Sequence, residues 1–341
     1  MRARSLPVVL MRGGTSKGVF VHLRDLPPPG PQRDAVVLDL MGSPDPMQID
    51  GLGGTYSSTS KLVAVEPGND GDDVRYWFAQ VGVDTPVVDW SGNCGNLTTA
   101  VPAFALDEGL VAPAEPVTRL RMRNGNTGVA VEAEVAVHEG RASVEGEHVV
   151  AGVPRPGAPV VTRYLEPGGG VLGAELPSGR GRDLVATPFG TVEASLVDVT
   201  HPYAIVAASA LGLVLEGAEP ARLNQDAELV ARLEQVRGSC AVLLDRAASW
   251  EEAASSSPVV PRLVLVEAGE GELGALAVSM GAVHRALPMT GALCLAGAVV
   301  LEGTVAAELG RDALAAGTVR IRHPRGTVEV LVERAAPVGT V

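Results

Sequence analysis

Apolar and polar residues alternate along much of the first half in short runs bounded by glycine and proline, a pattern typical of half-buried strands. One longer apolar stretch, residues 94–110, interrupts these runs and predicts a helix. The strands predicted in this half are 8–12, 18–23, 62–65, 74–83, 86–90, 117–123 and 128–137. We therefore expect a strand-rich domain wrapped around one central helix.

The second half repeats this plan after a join rich in proline and glycine at residues 152–159. An amphipathic helix is predicted at 224–236, ending at Gly238, and an apolar helix at 292–301, opened by Pro288-Met289-Thr290-Gly291. The strands predicted here are 160–164, 183–186, 190–199, 203–207, 262–267, 275–279, 318–323 and 327–332. We place the two domains at residues 1–150 and 151–341.

The two central helices end alike, in Glu108-Gly109 and in Glu302-Gly303, with glycine where a helix stops. Counting back by the same offset aligns Cys94 with Pro288, or with Met289 if one half is shifted by a residue. The halves therefore resemble a diverged duplication. In either alignment the second half offers no proton-transferring side chain where the first offers a thiol.

Composition excludes several classes of partner. The 341 residues include 27 Lys and Arg against 40 Asp and Glu, a formal net charge of −13, and only 3% aromatics. The excess of negative charge and the scarcity of aromatic residues argue against nucleic acid as a partner, and the negative charge argues against anionic membranes. No apolar run approaches the length of a membrane span, and the first one, ending at Met11, is too short for a signal peptide. Three cysteines without a CxxC motif fit a reducing compartment, so we expect the cytoplasm.

Cys94 stands out for its setting, between Gly92-Asn93 and Gly95-Asn96 at the predicted start of a helix. Unpaired backbone N–H groups and the helix dipole favour negative charge there, so a thiolate or a bound anion would be stabilised. The alternative is a small buried residue, the usual role of a free cysteine. Cys294, inside the second apolar helix, is expected to be such a core residue.

Lysine occurs at only two positions, Lys17 and Lys61, and both follow a glycine-rich segment. A desolvated lysine can release its proton, whereas arginine effectively cannot. Lys61 is therefore the first candidate for a proton-transfer partner of Cys94. Alternatively, both lysines are ordinary surface cations. The segment before Lys17 lacks the spacing of a phosphate-binding loop, so we do not expect nucleotide binding.

Four motifs together resemble the PrpF family. They are Met11-Arg12-Gly13-Gly14-Thr15-Ser16-Lys17-Gly18, Gly53-Gly54 with Ser57-Ser58-Thr59-Ser60-Lys61, Ser91-Gly92-Asn93-Cys94-Gly95-Asn96-Leu97, and Met289-Thr290-Gly291-Ala292-Leu293-Cys294. The family includes 2-methylaconitate cis-trans isomerase, aconitate isomerase and 4-oxalomesaconate tautomerase. Four motifs in order along most of the chain indicate the family but do not select one substrate.

The resemblance implies an α+β protein of the diaminopimelate epimerase-like fold. Its two pseudo-symmetric domains would each be a curved mixed β-sheet wrapped around a central helix, with the active site in the cleft between them. Whether the last strand returns to the first domain is left open. By resemblance, Lys61 and Cys94 are the acid and base. Epimerases and racemases of this fold look to have a second cysteine where this chain has Met289, which favours movement of a double bond over racemisation.

The implied substrate is a small unsaturated di- or tricarboxylate, and no metal or organic cofactor is expected. Its carboxylates would need cations, hydroxyls and N–H donors. The candidates for binding it are Arg12, Thr15, Ser16, Lys17, Ser57, Ser58, Thr59, Asn93, Gly95, Asn96, Thr200, His201, Arg285, Met289, Thr290 and Gly291. Many such hydroxyls serve only the local backbone, and His201 also fits a structural role. No other partner is expected, and a homodimer is left open.

Two other functions compete with isomerisation. An epimerase or racemase would exchange a proton at a stereocentre without moving a double bond. A non-catalytic carboxylate-binding protein would keep the cleft and lose the chemistry, and the presence of both Lys61 and Cys94 speaks against it.

Overall fold

A computed structural model describes residues 5–333. The chain divides between Leu165 and Glu166 into two compact units, called unit 1 and unit 2 below. The division lies 15 residues beyond the predicted boundary at 150 because the strand Val160–Leu165 pairs with the strand Ala130–His138 of unit 1. Sequence-local signals at the proline-rich join do not reveal this long-range pairing.

Unit 1 is built on a nine-stranded mixed sheet. Its strands are β1 (Val9–Gly13), β2 (Ser16–His22), β3 (Lys61–Pro67), β4 (Val74–Val81), β5 (Val88–Asp89), β6 (Val117–Asn124), β7 (Ala130–His138), β8 (Arg141–Ala142) and β9 (Val160–Leu165). They lie in the order β1-β2-β3-β4-β6-β7-β8, with β5 on β4 and β9 on β7. The pairs β2 with β3 and β4 with β6 are parallel, and the other pairs are antiparallel.

Helices cover both faces of this sheet. They are α1 (Pro31–Met41), α2 (Gly95–Thr98) and α3 (Val101–Asp107). Alternate strand residues separate the faces, because Phe20 and Val63 pack against α2 and α3 while Val19 and Leu62 pack against α1. The hydrophobic pattern did not predict α1.

The single helix predicted at 94–110 is wrong in detail, since α2 and α3 are separate short helices. Pro102 lies in the first turn of α3 and has no N–H, so it cannot donate the hydrogen bond that would continue α2 through Thr98. The chain turns at Thr99 and Ala100, where Ala100 N donates to Leu97 O at 3.0 Å.

Unit 2 holds a second nine-stranded mixed sheet. Its strands are β10 (Asp183–Thr187), β11 (Gly190–Val199), β12 (His201–Ala207), β13 (Arg262–Gly269), β14 (Glu272–Ser279), β15 (Ala282–Val283), β16 (Leu314–Ala315), β17 (Thr318–His323) and β18 (Gly326–Leu331). Its helices are α4 (Pro220–Leu223), α5 (Ala227–Leu243), α6 (Ala253–Ser256), α7 (Met289–Val300) and α8 (Val305–Leu309). Helix α7 packs on one face of the sheet and α5 on the other.

Gly238 does not end a helix, contrary to the prediction. Helix α5 continues through it to Leu243, and Gly238 is buried. A Cβ at this position would lie 2.6 Å from the carbonyl oxygen of Trp250. Gly238 is therefore a packing glycine that allows the chain after α5 to lie close to the helix.

The two units share one plan. The run β11-β12-β13-β14-β17 repeats the run β1-β2-β3-β4-β6 of unit 1, and the parallel pairs β12 with β13 and β14 with β17 stand where β2 with β3 and β4 with β6 do. Cys94 is the N-cap of α2 and Pro288 the N-cap of α7. This repetition confirms the α+β class and the two pseudo-symmetric domains.

The last strand that the structure describes, β18, pairs with β17 within unit 2, so through Glu333 the chain stays with the second sheet. Within residues 5–333, no helix combines the length and apolarity that crossing a bilayer requires.

Candidate active site

Lys61 and Cys94, 33 residues apart in sequence, meet inside unit 1. Lys61 Nζ lies 3.4 Å from Cys94 Sγ, and each residue keeps only 5% of its surface exposed. Lys61 Nζ also lies 5.1 Å from the centre of the Phe78 ring. An amine and a thiol are thus held in hydrogen-bond contact in a largely dehydrated setting.

The sheet and a helix start bring these two groups together. Lys61 is the first residue of β3, on the strand face that Val63 and Val65 continue into the core around α2 and α3. Cys94 precedes the first turn of α2, and its carbonyl accepts from Thr98 N at 2.9 Å. The strand fixes the amine and the helix N-cap fixes the thiol, so neither depends on a free loop.

The β1–β2 turn adds two hydroxyls to the same place. Asn96 Nδ2 donates to Thr15 Oγ1 at 2.9 Å and to Ser16 Oγ at 3.3 Å, and Ser16 Oγ lies 4.0 Å from Cys94 Sγ. Gly13 allows this contact, because a Cβ there would lie 2.1 Å from the Asn96 carbonyl oxygen. The structure therefore brings Thr15, Ser16 and Asn96 together with the thiol.

The predicted binding residues before Lys61 differ in their contacts. Ser58 O accepts from Lys17 N at 3.0 Å, and Thr59 Oγ1 donates to Tyr56 O at 2.9 Å. Ser57 O accepts from Gln80 Nε2 at 3.0 Å, while the buried Ser57 hydroxyl has no hydrogen-bond partner within the described residues. The Thr59 hydroxyl is thus bonded to backbone, whereas the buried Ser57 hydroxyl is available to a ligand.

Two glutamines that the sequence analysis missed hold this segment. Gln80 Nε2 also donates to Ser60 O at 3.0 Å. Gln48 Nε2 donates to Ser60 Oγ at 2.8 Å, and its Oε1 accepts from Gly54 N at 2.6 Å. No local motif marks either residue, because each acts on a segment reached only in the folded chain.

A buried polar network lies behind Cys94. Thr98 Oγ1 donates to Cys94 O at 3.1 Å and lies 3.0 Å from Tyr76 Oη and 3.4 Å from Asn93 Oδ1. Asn124 Nδ2 donates to Asn93 Oδ1 at 2.8 Å. The Asn93 Nδ2 group, in contrast, is buried without a hydrogen-bond partner within residues 5–333. Asn93, the residue before Cys94, therefore has an unused amide donor among the described residues.

Arg12 and Lys17 are cross-strand neighbours in the β1–β2 hairpin. Arg12 Nη1 donates to Gly14 O at 3.0 Å, and Lys17 Nζ donates to Gly53 O at 3.1 Å. Both cations thus contact glycine carbonyls of the two glycine-rich segments.

In unit 2, Thr200 and Thr290 are in contact at the start of α7. Thr200 Oγ1 donates to Thr290 O at 3.3 Å, and Thr200 has a φ of 64°, a left-handed conformation that strains a β-branched residue. His201 is fully buried, with Nε2 2.7 Å from Val259 O, a geometry that fits its structural alternative. Gly291 permits close approach, because a Cβ there would lie 3.1 Å from Tyr203 Oη.

Sequence reasoning missed Arg262 and Tyr203. Arg262 begins β13 as Lys61 begins β3, and its Nη1 donates to Thr290 Oγ1 at 3.3 Å. Tyr203 Oη lies 3.2 Å from the same oxygen. Arg285 is exposed in the segment before α7, and Met289, half-buried, is the first residue of the helix.

The other two cysteines are buried. Cys294 Sγ lies 3.6 Å from Val197 O in the core beneath α7, and burial raises the pKa of this thiol far above its ordinary value. Burial raises the pKa of Cys240 to about 12. Among the residues that the structure describes, no three His, Cys, Asp or Glu side chains cluster as metal ligands.

Sequence comparison finds relatives along nearly the whole chain. The model of the PrpF protein family matches residues 3–341. 3-Methylitaconate isomerase of Eubacterium barkeri is 37% identical, over 98% of this chain and 94% of the relative. 4-Oxalomesaconate tautomerase of Pseudomonas putida is 37% identical, over 96% and 90%. 2-Methyl-aconitate isomerase of Shewanella oneidensis is 36% identical, over 94% and 87%.

Solved structures show the same fold. The crystal structure of methylitaconate-delta-isomerase matches with a TM-score of 0.75 and 37% identity, covering 96% of this chain and 88% of the other. A probable proline racemase of Agrobacterium radiobacter matches with a TM-score of 0.56 at 14% identity, covering 95% of this chain and 83% of the other. The second match shows a shared fold only.

Proposed function

This chain belongs to the PrpF family, and we propose that it is an isomerase that moves a double bond within a small unsaturated di- or tricarboxylate. Relatives similar over nearly its full length are named as isomerases or tautomerases of such acids. The observation that carries the proposal is the buried contact of 3.4 Å between Lys61 Nζ and Cys94 Sγ.

The proposed chemistry is a pair of proton transfers. One group removes a proton from the carbon next to a carboxylate-bearing double bond, and the electron pair of that C–H bond delocalises through the double bond into the carboxylate. A proton then returns to the far carbon, so the double bond has moved and no electrons have been gained or lost. Because protons and electrons balance, these steps need no oxidant or reductant.

Lys61 and Cys94 are proposed as the two proton-transfer groups. An amine and a thiol can each hold or release a proton, and their contact places both within reach of one substrate. This contact allows either residue to remove the proton and the other to return it. We therefore assign the pair without assigning which residue removes the proton.

The intermediate is an anion, and the surrounding donors fit it. Asn93 Nδ2 and the Ser57 hydroxyl are buried without protein partners in the described part of the chain. Ser16 and Asn96 contribute a hydroxyl and an amide next to the thiol. Fixed donors in a dehydrated site stabilise developing negative charge more than water does, because they need no reorganisation.

Double-bond migration fits unit 2 better than two-thiol racemisation. Helix α7 begins Pro288-Met289, where unit 1 has Cys94 before α2, and neither residue transfers protons. Cys294 lies in the middle of α7 and packs into the core. A second thiol at the helix start is thus missing from this part of the described chain.

The proposal is tested by replacing each proton-transfer group. Cys94→Ala and Lys61→Met should each lower kcat about 10²- to 10⁴-fold for the responsive acid, because each removes one acid–base group. The measurement follows methylitaconate, methylaconitate and oxalomesaconate by ultraviolet absorbance, and deuterium entry from D₂O by proton NMR. Cys240→Ala, a buried thiol in the α5 core, is the matched control and should keep wild-type kcat.

Two results would overturn the proposal. Wild-type deuterium entry and turnover in Cys94→Ala would remove the thiol from the mechanism. Exchange at a stereocentre without any change in double-bond position would instead identify an epimerase.

A further inference from the structure

Three buried polar side chains of unit 2 meet where α7 begins. Arg262 is 4% exposed, and Tyr203 and Thr290 are each 1% exposed. Arg262 Nη1 donates to Thr290 Oγ1 at 3.3 Å, and Tyr203 Oη lies 3.2 Å from the same oxygen. The cluster therefore consists of one guanidinium and two hydroxyls, all shielded from water.

No carboxylate neutralises the charge of Arg262 in the part of the chain that the structure describes. Among residues 5–333 no carboxylate lies within ion-pair distance of its guanidinium, and its Nε is buried without a hydrogen-bond partner. A buried, unpaired charge is strongly unfavourable unless something else supplies its counter-charge.

Arg237 shows how the same unit treats a buried arginine that is structural. It is 1% exposed, and both its Nε and its Nη2 donate to the carboxylate of Glu234. Its Nη1 donates to the carbonyls of Ser257 and Pro261, at 2.8 and 3.3 Å. Every nitrogen of Arg237 thus has a protein acceptor, whereas Arg262 has an unused donor.

The hydroxyls leave a further donor. Only one O–H hydrogen is needed for the bond between Tyr203 Oη and Thr290 Oγ1, and Arg262 only donates, so the second O–H has no acceptor in this cluster. Burial raises the pKa of Tyr203, so its hydroxyl keeps its proton. The group therefore offers donors and positive charge, which together match an anion.

The start of helix α7 also favours an anion at this place. Helix α7 has 12 residues, and its N-cap, Pro288, makes no side-chain capping bond. Its first N–H groups and its dipole favour negative charge at this end. Gly291 leaves room beside Tyr203 Oη.

We propose that Arg262, with Tyr203 and Thr290, forms a carboxylate-binding subsite at the start of α7. Arg262 occupies in unit 2 the strand position that Lys61 occupies in unit 1, but a guanidinium does not release its proton, so it anchors an anion and takes no part in proton transfer. The choice of carboxylate among anions rests on the proposed function.

The test uses tricarballylate, a saturated tricarboxylate that has no double bond to move. Calorimetric titration of the full chain should show that Arg262→Met weakens binding at least about tenfold, because a charged, directional contact is lost. The melting temperature of Arg262→Met without ligand should equal or exceed that of the wild type, since the unpaired buried charge is gone. Arg262→Lys should bind with intermediate affinity, because it keeps the charge and loses the planar fork.

Arg237→Met is the matched control, because Arg237 is equally buried but paired. It should lower the melting temperature and leave the Kd for tricarballylate within about twofold of wild type. If this variant does not fold, Arg322→Met serves the same purpose, since Arg322 is paired with Glu267 and Glu272.

The subsite is refuted if Arg262→Met keeps the wild-type Kd, or if the wild type does not bind tricarballylate at millimolar concentration. Its failure is separable from that of the proposed function. A wild type that isomerises its acid while Arg262→Met keeps both KM and Kd would refute only the subsite. A wild type that binds tricarballylate through Arg262 but isomerises no acid would refute only the proposed function.

Discussion

At the residue scale, the position of the thiol depends on one buried hydroxyl. Thr98 Oγ1 contacts the Cys94 carbonyl, the Asn93 side chain and Tyr76 Oη at once. Burial raises the pKa of Tyr76 to about 12, so its hydroxyl stays protonated and pairs as a neutral group. Removing either hydroxyl leaves the other buried with one partner fewer.

Thr98→Val should therefore lower the free energy of unfolding by about 1–3 kcal/mol, because the Tyr76 hydroxyl loses a partner without gaining water. Adding Tyr76→Phe should recover part of this loss, since both ends of the bond are then apolar. A double-mutant cycle measured by urea denaturation tests this coupling.

Thr99→Val is the control, because Thr99 Oγ1 donates only to the nearby Asn96 carbonyl, at 2.7 Å. We expect a smaller loss that Tyr76→Phe does not offset. Strict additivity of Thr98→Val and Tyr76→Phe would show that the network carries no coupling energy.

At the element scale, glycines set how closely chain segments approach helices. Gly13 lets the β1–β2 turn lie against α2, and Gly238 lets the segment containing Trp250 lie against α5. In both cases a backbone carbonyl stands where a Cβ would be. The contact sets the requirement for glycine, and the helix propensity of the position does not.

Gly238→Ala tests whether the close contact with Trp250 or the helix propensity has the larger effect on stability. Alanine is favoured over glycine inside a helix by about 1 kcal/mol. The overlap with the Trp250 carbonyl, 2.6 Å from the added Cβ, should outweigh that gain. We expect a net loss of about 1–3 kcal/mol in the free energy of unfolding, measured by denaturant titration.

Gly297→Ala, in α7, is the matched comparison. Its Cβ would meet a Val199 methyl group at 3.0 Å, and a side chain can move more easily than backbone. A loss in Gly297→Ala as large as that in Gly238→Ala would contradict the argument.

At the scale of the whole molecule, one plan has diverged at corresponding places. Strands β3 and β13 each begin with a basic residue, Lys61 in unit 1 and Arg262 in unit 2. Lys61 contacts Cys94 at the start of α2, and Arg262 contacts Thr290 at the start of α7. The helix N-cap is Cys94 in one and Pro288 in the other. A chain of net charge −13 thus buries a basic side chain at corresponding places in its two units, which fits the proposed carboxylate substrate.

The stability of the chain should fall in mild acid. Burial lowers the pKa of His323, so below the ordinary histidine pKa of about 6.5 the unfolded state binds a proton that the folded state does not. The free energy of unfolding should therefore decrease as the pH drops from 7.5 to 5.5. His323→Asn keeps an acceptor for Arg325 N and should reduce this decrease.

Thermal unfolding at pH 7.5, 6.5 and 5.5 measures the effect. His138→Asn, at an exposed position of β7, should leave the pH dependence as in the wild type. Equal slopes for the wild type and His323→Asn would show that His323 does not contribute.

Many features of this protein follow from a few consecutive residues, so the sequence by itself determined them. Strands such as β2, β3 and β13 follow from their runs of apolar residues, and the glycine-rich motifs with Lys61 and Cys94 identify the family. Each of these signals lies within a few consecutive residues. The pairing of Lys61 with Cys94 was predicted as well, from the chemistry of a rare lysine and a thiol at a helix start.

Other features depend on neighbours far away in the chain, and only the tertiary structure decided them. The boundary at Leu165 follows from the pairing of β9 with β7, and Gly238 is explained by Trp250. Arg262 has no motif of its own. It becomes a candidate because folding buries its charge beside Tyr203 and Thr290 without a counter-ion among the described residues, and burial is a property that no short stretch of sequence contains.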